Sequence, residues 1–257
     1  MNGLLAPAVA LMNKLSYAKK FGVISITFFV PLLLLSYAIV NQTYEYIEYL
    51  KKLIEVAQIM KKEFYIISDL IENNSRVLDV GCGDGTLMEY LKNNKKIDIR
   101  GIEISKNNAQ KCIGKGLSVI EGNAEMDLTQ FPDKSFDFVI LSQTLQAFLN
   151  PETVIKELLR IGKKAIVTIP NFGFWRVRLH LLLKGTMPVT KNLPDEWYNT
   201  PNLHMCTIKD FYNFCYARNI RLDKSLAFHN GKTSSINEIN LNIKNLSAEL
   251  GIFSIEQ

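Results

Sequence analysis

The sequence predicts an α/β fold: a doubly wound, mostly parallel sheet of seven strands, with an N-terminal hydrophobic helix ahead of it. Three observations carry this. Short apolar strands alternate with segments of helical periodicity from Arg76 to Ile169, which implies a parallel sheet covered by helices on both faces. The first strand runs into Gly81-Cys82-Gly83-Asp84-Gly85, where glycines on alternate positions suggest a turn that lets a ligand approach the backbone closely. A tight loop with no ligand is the bland alternative. Upstream, Phe21 to Val40 holds no charged residue and is long enough to cross a ~30 Å hydrocarbon core as a helix.

Taken in order, the chain begins with Lys14, Lys19 and Lys20 ahead of the apolar run, a charge bias that keeps an N-terminus in the cytoplasm and carries the chain beyond Val40 to the far side. Pro31 at mid-span is tolerated in such helices. A signal peptide cut near Ser36-Tyr37-Ala38 is the rival reading. Unpaired cysteines and a nucleotide-type ligand belong instead in the cytosol. Residues 1–59 therefore read as a membrane tether, a fusion, or a misplaced start with Met60 as the native first residue. The expected division is 1–59, a hydrophobic segment with a connecting helix at Tyr44 to Ile59, and 60–257, a cytoplasmic domain with a candidate inner-membrane anchor at 21–40.

Phe64 to Ile71 has helical apolar spacing, and Asn73-Asn74 ends it. Strands are expected at Arg76 to Val80, Asp98 to Ile104, Leu117 to Glu121, Phe136 to Ser142 and Ala165 to Ile169. Helices are expected at Gly85 to Lys92, Lys106 to Gly114 and Pro151 to Ile161, the last with proline at its first position. Thr207 with Asp210 forms a cap-and-acid signature opening a helix over Ile208 to Ala217. Leu222 to Phe228 and Ala248 to Ile255 read as the last two strands, separated by a lysine- and asparagine-rich excursion.

In a sheet of this kind, ligands bind outside the carboxyl ends of the strands, which groups Gly81, Glu103, Asn123 and Ser142 into one site. Glu103 ends the second strand, about 20 residues past the glycine turn, where a ribose diol finds its acceptor. The pattern G-x-G-x-G departs from the dinucleotide G-x-G-x-x-G, which weakens NAD or FAD as the ligand. The net charge of +5 comes from lysines scattered among acids, without the basic block that marks nucleic-acid binding. Four cysteines without a C-x-x-C pair and three histidines without ligand spacing indicate no metal site.

Val77 to Gly85, Gly101-Ile102-Glu103-Ile104-Ser105, Gly122-Asn123-Ala124-Glu125 and Phe131 to Asp137 together resemble the class I S-adenosylmethionine-dependent methyltransferases, a Rossmann-like superfamily. Ile140 to Ala147, Pro170 to Leu179, Pro188-Val189-Thr190, Glu196 to Asn202 and Asn245 to Leu250 are similar, more narrowly, to the methionine biosynthesis protein MetW family, over about residues 60–257. This resemblance implies S-adenosylmethionine as cofactor. It places Asp79 under the methionine amino group, and Gly81, Cys82 and Gly83 along the methionine moiety. Glu103 then takes the ribose hydroxyls and Ile104 flanks the adenine. Asn123, with Ala124 beside it, stands where most of the superfamily has Asp to accept the adenine amino group, and an amide oxygen accepts that bond without charge. Ser142 and Gln143 close the pocket near the sulfonium. The resemblance also implies homoserine O-acyltransferase as a partner in methionine synthesis. Methyl transfer to an unidentified small molecule is the alternative, and no catalytic residue is assigned. Met12 to Phe21 resembles the signal anchor of bacterial chemoreceptors.

Phe172, Phe174, Trp175, Trp197 and Tyr198, interleaved with Arg176, Arg178 and His180, form the densest aromatic group. They suit a lid over a substrate, a contact surface for a partner, or a helix packed on the sheet through Val177, Leu179, Leu181, Leu182 and Leu183. His180, Tyr198 and His204 are candidate substrate neighbours on the first of these.

Overall fold

The computed structural model describes residue 13, residues 16–190 and residues 193–257, with the side chains at 18, 20–28 and 52–61 outside the description. The chain divides into two units, Met1–Ala57 and Gln58–Gln257. Helix α1 (Tyr17–Leu70) begins in the first and ends in the second. In the first unit its described apolar side chains, among them Phe29, Leu33, Leu34 and Val40, are exposed. Among the described residues no helix is long and apolar enough to cross a membrane. The backbone at 21–40 is thus helical as expected, but the membrane-crossing reading finds no support, and the side chains at 21–28 lie outside the described residues. Of the chemoreceptor-like stretch, Met12, Lys14 and Leu15 lie outside them too.

The second unit is built on an eight-stranded sheet of order β3-β2-β1-β4-β5-β8-β6-β7. Strands β1 (Arg76–Val80), β2 (Asp98–Glu103), β3 (Ser118–Glu121), β4 (Phe136–Ser142) and β5 (Gly162–Pro170) are parallel. Strands β6 (Arg221–His229), β7 (Lys232–Ser235) and β8 (Leu250–Glu256) join antiparallel. Helices α2 (Thr86–Asn94), α3 (Lys106–Gly114), α4 (Ala124–Asp127), α5 (Pro151–Ile161), α6 (Trp175–Lys184), α7 (Ile208–Ala217) and α8 (Leu241–Ser247) make the connections.

Successive residues of the central strands point to opposite faces, and both faces are apolar because both are covered. On one side Leu78, Val139 and Leu141 meet Val154, Leu158 and Phe211 of α5 and α7. On the other Val77, Phe138 and Ile140 meet Phe64, Ile67 and Ile71 at the end of α1, with Met88 and Leu91 of α2. Pro151 opens α5, and the Thr207–Asp210 capping box closes the first turn of α7, as the sequence predicts.

Two expectations are corrected. The sheet has an eighth strand, because Asn230 (φ 48°) and Gly231 (φ 75°) turn β6 back on β7 with His229 opposite Lys232. Both central residues have positive φ, which Asn-Gly adopts readily and which matches the twist of a hairpin. Helix α6 exists, yet of its apolar residues only Val177 is buried, while Leu182 and Leu183 are 81% and 73% exposed. Its leucines do not pack on the sheet.

Candidate functional site

The carboxyl ends of β1, β2 and β4 carry the residues that the sequence singles out. After Val80 the chain turns through Gly81 and Gly83 at φ 71° and 56°, in the left-handed region where a side chain is strained. A Cβ on Gly81 would lie 2.6 Å from the Thr144 methyl group, whereas one on Gly83 would meet nothing within 4 Å. Gly81 is therefore fixed by packing, and Gly83 leaves its backbone open to an incoming group.

Glu103 is buried and held at both ends: Gly83 N donates to its Oε2 at 2.8 Å and Ser105 N to its Oε1 at 2.9 Å. Gly81 N donates to Ile102 O at 2.8 Å, so the turn and the second strand end hold each other. Each carboxylate oxygen keeps a second lone pair for a ligand hydroxyl.

Asp79 is buried, and its Oδ2 has no hydrogen-bond partner among the described residues. Burial and the nearby Glu103 charge push its carboxyl from 3.8 up to about 7. A buried, unpartnered carboxylate oxygen is costly unless a donor or cation arrives. Cys82 and Ala124 are buried beside the turn and the start of α4, and burial raises the Cys82 thiol pKa, keeping it neutral. Ile104 is 69% exposed, free to lie against a planar ring. Asn123 caps α4, its side chain accepting from Glu125 N at 3.0 Å, so part of its acceptor capacity is already used.

Ser142 and Gln143 meet a residue that the sequence reading passed over. Glu63, near the end of α1, accepts from Ser142 Oγ at 3.1 Å, Thr168 Oγ1 at 2.8 Å and Gln143 Nε2 at 2.6 Å. Glu63 lies on a buried stripe that runs through Ile67 to Ile71, just past the helix end, each four residues on, and that spacing was the available signal.

The aromatic region does not join this cluster as one lid. His180 Nε2 lies 3.1 Å from Thr186 Oγ1 on the surface. Trp197 and Tyr198 pack edge to face on each other and are exposed. Arg176 stacks over Trp175, 5.4 Å from the ring centroid. His204 lines a separate cavity of 240 Å³ with Leu145, Gln146 and Phe211.

Five parallel strands, an antiparallel β8 set between β5 and the β6–β7 hairpin, a glycine turn after β1 and an acid ending β2 define a methyltransferase-like α/β fold. A solved S-adenosylmethionine-dependent methyltransferase from Thermotoga maritima matches it with a TM-score of 0.56 at 21% identity, over 76% of this chain and 88% of that one. Within that class, the chain belongs to the methionine biosynthesis protein MetW family, whose model matches residues 61–255. Among curated proteins it is 32% identical, over 62% of its length, to a bifunctional methionine biosynthesis protein MetXA/MetW of Rhodopirellula baltica. It is also 32% identical, over 46% of its length, to a demethylmenaquinone methyltransferase of Bacillus velezensis. The chain spans 27% of the first relative and 56% of the second.

Proposed function

We propose that the strand-end site binds S-adenosylmethionine and that the protein serves methionine biosynthesis as a cofactor-binding partner of homoserine O-acyltransferase. Residues 60–257 are the working domain in this reading, supported by the division of the chain after Ala57 and by the span of the family match. Asp79 meets the ligand ammonium, Gly81, Cys82 and Gly83 pass its methionine chain, and Glu103 takes the ribose hydroxyls. Ile104, Asn123 and Ala124 border the adenine, while Ser142 and Gln143 face the sulfonium side.

The observation that carries the reading is Glu103, a buried carboxylate fixed by the glycine turn and by Ser105 before any ligand arrives. Such preorganisation lowers the ordering cost of binding. The cofactor supplies a methyl group activated on sulfur. The chain's contribution is to hold it in one orientation, since in-line displacement depends chiefly on proximity and alignment. The relative that carries MetXA and MetW in one chain supports a partner from the same pathway.

Calorimetry on the full chain is the direct test: S-adenosylmethionine releases heat on binding, and Glu103→Ala abolishes it. Capture of the tagged chain from cells should bring down the acyltransferase. A second reading, methyl transfer to a small molecule, is favoured by the likeness to the Bacillus velezensis methyltransferase. Label passing from S-adenosylmethionine to a metabolite in the absence of the acyltransferase would establish it.

A further inference from the structure

Glu63 is 2% exposed, and the donors that meet it, Ser142, Gln143 and Thr168, all come from the carboxyl ends of β4 and β5. None is charged: among the described residues the groups that meet this carboxyl are those three neutral side chains, and burial outweighs them in raising its pKa. Here the surroundings are arranged for an acceptor. Gln143 sits at φ 52°, a conformation costing ~1 kcal/mol or more for a residue with a side chain, and points its amide at Glu63 while its own N–H is held by Thr168 Oγ1 at 3.1 Å. The site offers three donors to a carboxylate, and among the described residues no salt bridge supplies the cation that a buried carboxylate requires.

Asp79 is the second buried acid at this end of the sheet whose pKa is raised with no basic group acting on it. S-adenosylmethionine carries two cations, an ammonium and a sulfonium. Its demethylated product, S-adenosylhomocysteine, keeps the ammonium and has a neutral thioether. The two acids match the two cations, and only one of those cations distinguishes the two ligands.

We infer that Glu63 is the counter-charge for the sulfonium, so that this protein distinguishes S-adenosylmethionine from S-adenosylhomocysteine by charge. This rests on the cofactor reading above and adds to it a specificity-determining residue outside the glycine turn and the second strand.

The test is calorimetry of both ligands on the full chain, native and Glu63→Gln, at pH 8. The native chain should bind S-adenosylmethionine about tenfold tighter than S-adenosylhomocysteine, the ratio expected from ~1.4 kcal/mol of charge interaction. Glu63→Gln should bring the ratio close to one by weakening only the sulfonium ligand. Because a variant at a buried position can lose its fold, the ratio of the two native affinities is the readout that needs no substitution. Equal native affinities, or equal loss of both ligands in a folded Glu63→Gln, would overturn the inference and leave the cofactor reading intact. A native chain that binds neither ligand removes both.

Discussion

Asp79 binds protons more readily in the folded chain than in the unfolded one, since burial carries its pKa from 3.8 to about 7. Between those values the native state holds more protons than the unfolded state, and stability falls as pH rises. In urea titrations of the ligand-free protein, Asp79→Asn should therefore gain stability relative to the native chain as pH goes from 5 to 7.5. An unchanged difference would show that Asp79 is solvated. Glu103 makes a second prediction. Its two oxygens both accept backbone N–H groups, so Glu103→Gln points an amide N–H₂ at one of those donors. The cost should be about 1–3 kcal/mol by urea unfolding, in addition to weaker cofactor binding. At this scale Glu103 and Asp79 were legible, because the motif that carries them is local in sequence. Glu63 was not, for its partners Gln143 and Thr168 are 80 and 105 residues away.

Helix α7 begins as the sequence says it should: Asp210 N donates to Thr207 Oγ1 at 3.1 Å, and Thr207 N to Asp210 Oδ2 at 3.0 Å. Thr207→Ala should cost ~1 kcal/mol in thermal or urea unfolding, with Thr207→Ser close to native. Between β5 and the start of α7 lies Asn171, also buried. Its Nδ2 donates to the carbonyls of Asn245 and Ala248, and its Oδ1 accepts from Gly173 N and Ile208 N. Asn171→Leu strands four groups at once and should lower the melting temperature more than any of the cap substitutions. Caps and proline starts are readable because they act within one turn of chain. Strand β7 was missed for a different reason. The lysine and asparagine content around it suggested an irregular excursion, and the Asn230-Gly231 pair that makes the hairpin was lost in that composition. The α6 leucines misled in the opposite direction, since apolar periodicity says that a face is apolar and not that anything covers it.

For the whole molecule, the parallel half of the sheet was visible in the alternation of strand and helix, whereas the strand order was not. The end of α1 matters at this scale. Phe64, Ile67 and Ile71 are buried in the same cluster as Phe138 and Ile140. Removing them exposes apolar surface worth ~1.5–3 kcal/mol per side chain, a sum comparable to the stability of an ordinary domain. A chain beginning at Gln58 should melt cooperatively, and one beginning after Ile71 should not; circular dichroism on the two separates these outcomes.

Strand β8 is buried along nearly all its length between β5 and β6, although both of its neighbours precede it in the chain. A ribosome therefore releases two open sheet borders well before the segment that fits between them, and the gap stays open to other extended peptides until Leu250–Glu256 has left the exit tunnel. Late-arriving closure of this kind makes the nascent protein dependent on whatever shields those borders meanwhile. It also means that a chain cut before Leu250 would hold a split sheet rather than a slightly shorter one.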